Sequence, residues 1–199
     1  MESLEPLAEV TEPDVRQKFW VALDLSNGTQ RPFTLDDFHH RAASIELHGG
    51  VPEEVRSHFE TARHLIIYSW FYYPFNVTAE LAAYTSAEFA LRTRFNDRKT
   101  PFKSLLQKAV DTKLVSDSGF SIPKLRAERI REHNEAMPAD FQTPEPALLR
   151  EYSDVLTKAI PYLRNQLAHG STTLHNHGAR TVRICAELIN QLFDPPTAP

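Results

Sequence analysis

Apolar side chains recur at helical spacing along most of this chain. Val55, Phe59, Ala62, Leu65 with Ile66, and Phe71 recur at roughly one-turn intervals, the pattern of a helix that buries one face. Pro52 suits the first position of that helix, with Glu53 and Glu54 in its first turn, and the stripe predicts a run to about Tyr73. Pro74 interrupts it. Asn76 then caps a new helix over Val77 to about Phe95, carrying Leu81, Tyr84, Phe89 and Leu91. Thr100-Pro101 opens another through Leu105, Leu106, Ala109 and Val110 to about Val115, closed by Ser116 to Gly119. From Pro146 a long helix carries Leu148, Leu149, Tyr152, Val155, Leu156, Ile160, Leu163 and Leu167. Pro161 lies inside this pattern, so the helix kinks there or two helices meet there. Gly170 is placed as the left-handed residue that ends it. A last helix carries Ala179, Val182, Cys185, Leu188, Ile189 and Leu192, and Pro195-Pro196 stops it.

Two stretches carry weaker patterns. Before the first clear helix, Lys18 to Leu25 reads as a short strand or a helical turn ahead of Ser26-Asn27-Gly28. Thr34 then serves as an N-cap, with Asp36 and Asp37 where the helix dipole favours carboxylates, for a short helix to about His48 ended by Gly49-Gly50. Residues 120–145 are mostly polar and hold Pro123, Pro138 and Pro144, which predicts one short helix within a long connection. The run Lys124 to His133 in its middle has five basic side chains, His133 included, against two acidic ones. It reads as a solvated helix. The fold class is all-α, an antiparallel helical bundle with an N-terminal extension. Residues 1–50 form an arm with a short helix and residues 51–199 the bundle domain.

Composition narrows the picture. At 199 residues, 41% hydrophobic and 24% charged, the chain has enough apolar material for one sizeable core. One cysteine, Cys185, allows neither an internal disulfide nor a Cys-based zinc site. No segment is long and apolar enough to read as a membrane span, and Met1-Glu-Ser-Leu-Glu-Pro lacks the basic start and apolar run of a signal peptide. A cytoplasmic setting is expected. The net charge is -4 but uneven: residues 1–60 hold twelve acidic and five basic side chains, and the remainder carries +3. Between Pro161 and Cys185 there is no acid, while Arg164, Arg180, Arg183, His169, His175 and His177 are present. Such a strip admits an anionic substrate.

The densest chemistry lies inside that strip. Pro161-Tyr-Leu-Arg-Asn-Gln-Leu-Ala-His-Gly-Ser171 sets a fixed cation, an amide and an imidazole within six residues, at the end of a striped helix and before Gly170. Arg164 and His169, five apart, stand about 140° from each other on a continuous helix, whereas Asn165 and His169 share a face. Bringing Arg164 and His169 over one phosphate therefore requires the helix to loosen near Ala168 to Gly170, or the two groups to come from two copies of the chain.

The order Arg164-Asn165-x-x-x-His169 resembles the Arg-x(4–6)-His signature of HEPN domains, small helical proteins many of which are metal-independent RNases of toxin–antitoxin and phage-defence systems. Ala87-Glu88-Phe89-Ala90-Leu91-Arg92 looks like the second core helix of some such proteins, whose polar groups face the motif. The resemblance covers about residues 52–195. It implies an endoribonuclease acting by 2′-hydroxyl attack without a cofactor or metal, with RNA as substrate, a composite site across a homodimer two-fold axis and an antitoxin-like protein partner. Arg164 and His169 are then the catalytic pair and Asn165 their support. Glu88, Arg92, Arg180 and Arg183 become candidates for RNA contact or for holding the pair. One branch of the family carries a modifiable Tyr two positions after the motif His, where this chain has Ser171, so control by that modification is not expected.

Other chemistries fit less well. His169, His175 and His177 do not make a zinc set without a Cys or nearby carboxylate, and no His-Glu-x-x-His helix is present. Ser153 and Ser171 lack the glycines of a nucleophile elbow. The rival from another class is a non-catalytic helical adaptor that dimerises and binds a protein partner, with Arg164 and His169 in an interhelical hydrogen-bond network. Exposure of the pair separates the two readings.

Overall fold

The computed structural model describes residues 4–24, 27–143, 151–170 and 173–194. The described chain runs through a 3-10 turn (Val15–Phe19), a hairpin of β1 (Val21–Asp24) and β2 (Thr29–Pro32), then α1 (Leu35–Ala43), α2 (Glu53–Tyr68), α3 (Phe75–Phe95) and α4 (Phe102–Asp111). It continues through α5 (Ser121–Ala136), α6 (Glu151–Ala168) and α7 (Gly178–Phe193). This is an all-α helical bundle with one small hairpin attached.

The stripes read from sequence become the core. Val55, Phe59, Ala62 and Ile66 of α2 are buried, as are Val182, Cys185, Leu188, Ile189 and Leu192 of α7. Between them lies α3, which packs on α2, α4, α6 and α7. Its buried positions include Ala79, Ala83, Ala87 and Ala90, small residues that let the neighbouring backbones approach closely. Closest of all is the start of α7. A Cβ on Gly178 would lie 2.8 Å from the Asn76 carbonyl oxygen and 2.9 Å from Ile66 Cδ1, so glycine is required there by contact with α2 and α3. Thr181, one turn on, donates its hydroxyl to Glu80 Oε2 at 3.1 Å. These pairings set the starts of α3 and α7 side by side, pointing the same way. By contrast α2 and α3 are antiparallel, with His58 facing Ser86 and Phe89, and α6 packs on α3 and α4.

Where element ends differ from the sequence reading, tertiary contacts decide them. α1 stops at Ala43, five residues short of His48, because Ile45 and Val51 drop into the core from the following loop. The loop is tied to α7 by Asn190, which accepts from the His48 amide and donates to the Glu46 carbonyl, both at 3.0 Å. α2 ends at Tyr68 and not Tyr73. Buried Asp14 caps the 3-10 turn through the Arg16 amide and also accepts from the Tyr73 amide at 2.8 Å, pulling residues 69–74 out of helix. Asn76 lies in the first turn of α3 and not before it, its Nδ2 donating back to the Tyr73 carbonyl.

One expectation needs larger correction. The stretch 120–145 holds a helix of sixteen residues, not a short one. Its only buried helical residue is Ala127, so it had no apolar stripe to announce it. The two alternatives offered for Lys18 to Leu25 both occur among its described residues: the end of the 3-10 turn is followed by β1, which pairs antiparallel with β2 from Val21 opposite Pro32 to Asp24 opposite Thr29. Pro161 sits within α6, which continues through it as one helix. The missing N–H leaves the Thr157 carbonyl without its helical donor. The predicted start at Pro146, Leu148 and Leu149, and the Pro195-Pro196 stop, lie outside the described residues. Gly170 ends α6 with φ +90°, the left-handed conformation expected of it.

Candidate functional site

The last two turns of α6 carry Arg164, Asn165 and His169, and they point in different directions. Arg164 faces α3. Its Nη2 lies 2.9 Å from Glu88 Oε2, and its Nη1 donates to Asn165 Oδ1 at 3.2 Å. Glu88 in turn accepts from Arg92 Nη2 at 2.6 Å through its other oxygen. One carboxylate, with only 13% of its side chain exposed, thus holds two guanidinium groups. Arg92 is further tied to the Thr100 carbonyl, by a hydrogen bond of 3.3 Å from Nη1. The Nε of Arg164 is buried and has no hydrogen-bond partner among the described residues, so this guanidinium keeps an unused donor.

His169 is exposed. Its amide still donates to the Asn165 carbonyl at 3.0 Å, so it completes the helical ladder and keeps its bearing on α6. The left-handed turn comes one residue later, at Gly170. Loosening of the helix near Ala168 to Gly170 therefore does not swing His169 round to Arg164 within one chain. Instead His169 continues a line of outward side chains with Val155, Tyr162 and Gln166, spaced seven, four and three apart. Val155 and Tyr162 are 58% and 62% exposed, so this line sets two uncovered apolar side chains ahead of Gln166 and His169.

The remaining basic candidates separate. Arg183 donates through Nη2 to Ser44 Oγ at 2.8 Å, where it ties the loop after α1 to α7. Arg180 is exposed. Together with Glu187 it acts on the Tyr152 hydroxyl, whose pKa is pushed up to about 12, first by burial and then by the Glu187 charge, against the lowering effect of Arg180. Ser171 lies outside the described residues.

A second polar cluster was not anticipated from sequence. Glu80, 4% exposed, sits on α3 among alanines. Besides the Thr181 hydroxyl it meets His175, whose Nδ1 is 3.0 Å from Glu80 Oε1, though neither atom is aligned for a hydrogen bond. The His175 and His177 rings lie 4.9 Å apart. Burial raises the Glu80 pKa to about 7, opposed by the Thr181 hydroxyl and by the charge of His177. Sequence offered one signal for it: a lone carboxylate in the apolar run Ala79 to Tyr84. Among the described residues no three His, Cys, Asp or Glu side chains converge as metal ligands, and no helix is long and apolar enough to cross a membrane.

Chemically, the end of α6 offers a positioned cation with a spare N–H, an amide beside it and a solvent-facing imidazole. Comparisons with protein-family models, with characterised proteins and with solved structures find no match to this chain.

Proposed function

We propose that the chain is a metal-independent endoribonuclease whose active site is completed by a second copy, with Arg164 and His169 as the catalytic pair and Asn165 in support. The observation that carries this reading is the divergence of the two side chains on α6. Arg164 is anchored toward α3 while His169 is presented to solvent at the end of the uncovered Val155 and Tyr162 line. A second chain packed along that line brings a partner Arg164 and a His169 to one cleft, which neither chain supplies alone. A homodimer of this kind is also the simplest cover for these two apolar side chains.

In such a cleft the roles follow from the chemistry of the groups. Attack by the 2′-hydroxyl needs a group to take its proton and another to protonate the leaving 5′-oxygen, and an imidazole suits either task. The guanidinium offers paired N–H donors to the non-bridging oxygens as charge grows on the phosphorus. Glu88 fixes its orientation through Nη2. Asn165 steers Arg164 through its side-chain oxygen and leaves its own N–H donors for phosphate. The wider setting is that of a toxin or defence nuclease with an antitoxin-like partner, as the sequence resemblance implies.

One observation favours a second reading. The Glu88–Arg164 ion pair bridges α3 and α6, as the interhelical network of a non-catalytic adaptor would. A single assay separates the two. A labelled mixed-sequence oligoribonucleotide is incubated with pure protein in chelator, beside Arg164→Ala and His169→Ala. The nuclease reading predicts cleavage to 2′,3′-cyclic phosphate ends, reduced by about 100-fold or more in each variant. Absence of cleavage, or cleavage that both variants retain, favours the adaptor.

A further inference from the structure

At the start of α3, well away along the helix from Glu88, the hairpin and the 3-10 turn close over the bundle and leave a cavity of about 260 Å³. Its lining includes Trp20, Phe33, Phe38, Arg41, Asn76 and Asn176. These come from five separate places in the chain, and the ribonuclease reading uses none of them. The Arg41 guanidinium carbon lies over this aromatic wall, 4.3 Å from the Phe33 ring centre and 5.6 Å from that of Phe38. Phe38 is itself edge-on to Phe33 and backed by Trp70 at 5.3 Å. A cation held over ring faces in this way keeps its N–H donors for a ligand.

Among the described residues no carboxylate forms an ion pair with that guanidinium. The acid one helical turn away, Asp37, is held by both Nη atoms of Arg31 at 2.7 and 2.6 Å and by the Thr34 amide at 2.8 Å. Among the described residues Arg41 makes no hydrogen bond and no ion pair. Burial pulls its pKa down, with the Asp37 charge opposing. The cavity thus sets a cation without a direct ion-pair partner beside aromatic faces. Amides stand at its other edge: Asn76 is buried and Asn176 is exposed at the rim.

We propose that this cavity is a binding site for a small planar anion, an aromatic ring bearing a carboxylate or a phosphate. The anionic oxygens meet the N–H edge of Arg41, the ring lies against Trp20 and Phe33, and the Asn76 and Asn176 amides meet polar substituents on the ring. Size limits the ligand. The volume lies just below the roughly 300–1,000 Å³ usual for small-molecule pockets, enough for one or two fused rings and too small for a stretch of polymer.

Trp20 in the wall makes its fluorescence a reporter, and calorimetry gives a second readout. The probes are benzoate, indole-3-carboxylate and phenyl phosphate, with benzyl alcohol as a ring without charge and inorganic phosphate as charge without a ring. The expected result is saturable quenching and heat with at least one ring-bearing anion and none with either control; the preference between indole-3-carboxylate and phenyl phosphate names the anionic group. Arg41→Met keeps a stem that can lie on Phe33 and removes the charge, and Asn176→Asp places a like charge at an exposed rim position where folding is undisturbed. Each is expected to weaken binding by about tenfold or more, the worth of a hydrogen bond to a charged group. Circular dichroism confirms the fold of both. The proposal is overturned if no ring-bearing anion binds the full-length protein up to about 10 mM, or if affinity is unchanged in both variants.

Discussion

Burial holds a proton on Glu80, raising its pKa from the ordinary 4.5 to about 7. Between those values the folded chain keeps a proton that the unfolded chain has released, so stability falls as pH rises through that window. The loss is up to about 3 kcal/mol, and urea unfolding of the wild type at pH 4.5 and 7.5 should show it. Glu80→Gln, neutral throughout, should lack this component; equal pH slopes for the two proteins would contradict it. Glu88 behaves differently because it is held by two cations, Arg92 and Arg164. Glu88→Ala frees both and should cost about 1–2 kcal/mol in chemical denaturation, while lowering RNA cleavage through loss of Arg164 orientation. Sequence exposed part of this. Glu88 was legible as a candidate for holding the motif, its pairing with Arg92 follows from their i, i+4 spacing, and Arg164, Asn165 and His169 were legible as a polar set on an apolar helix. Which of them Glu88 would hold was not legible, since Arg164 lies seventy-six residues further along the chain and reaches it only through α6 packing on α3.

Elements were legible where one face is apolar and illegible where a distant side chain sets the end. The stripes of α2 and α7 match their buried residues closely. α5 was underestimated because only Ala127 of it is buried, and α2 was overextended because Asp14, fifty-nine residues away from Tyr73, captures that amide. Asp117 does the same service for α6, accepting from the Tyr152 and Ser153 amides at 2.9 and 2.8 Å and from the Ser153 hydroxyl at 2.6 Å. Asp117→Ala should leave these donors buried without an acceptor and cost about 2–4 kcal/mol, read as a lowered urea midpoint. Gly178 offers the converse case. Glycine to alanine in a helix ordinarily gains about 1 kcal/mol, but here the new Cβ meets the Asn76 carbonyl and Ile66. Gly178→Ala should therefore lower the melting temperature, at a cost of about 1–3 kcal/mol; a raised melting temperature would show that α7 can shift to admit it.

At the scale of the whole molecule, the proposed nuclease needs a second copy of the chain. Within one chain Arg164 and His169 diverge around α6, with one anchored at Glu88 and the other continuing the exposed line of Val155 and Tyr162. The 140° separation read from sequence posed a geometric problem with two solutions, and the helical hydrogen bond from the His169 amide to the Asn165 carbonyl speaks against the loosened helix; the proposed nuclease therefore rests on the composite site. That claim has a direct test in mixing the two inactive variants. Arg164→Ala and His169→Ala subunits are combined in equal amounts, allowed to exchange, and assayed on labelled RNA beside each variant alone and the wild type. A site built from Arg164 of one copy and His169 of the other is restored in the mixed dimer, which should recover cleavage to roughly a quarter of the wild-type rate, half of the dimers being mixed and each holding one of two sites. A mixture as inactive as its separate components, with the wild type cleaving in the same experiment, would contradict a site shared between two chains.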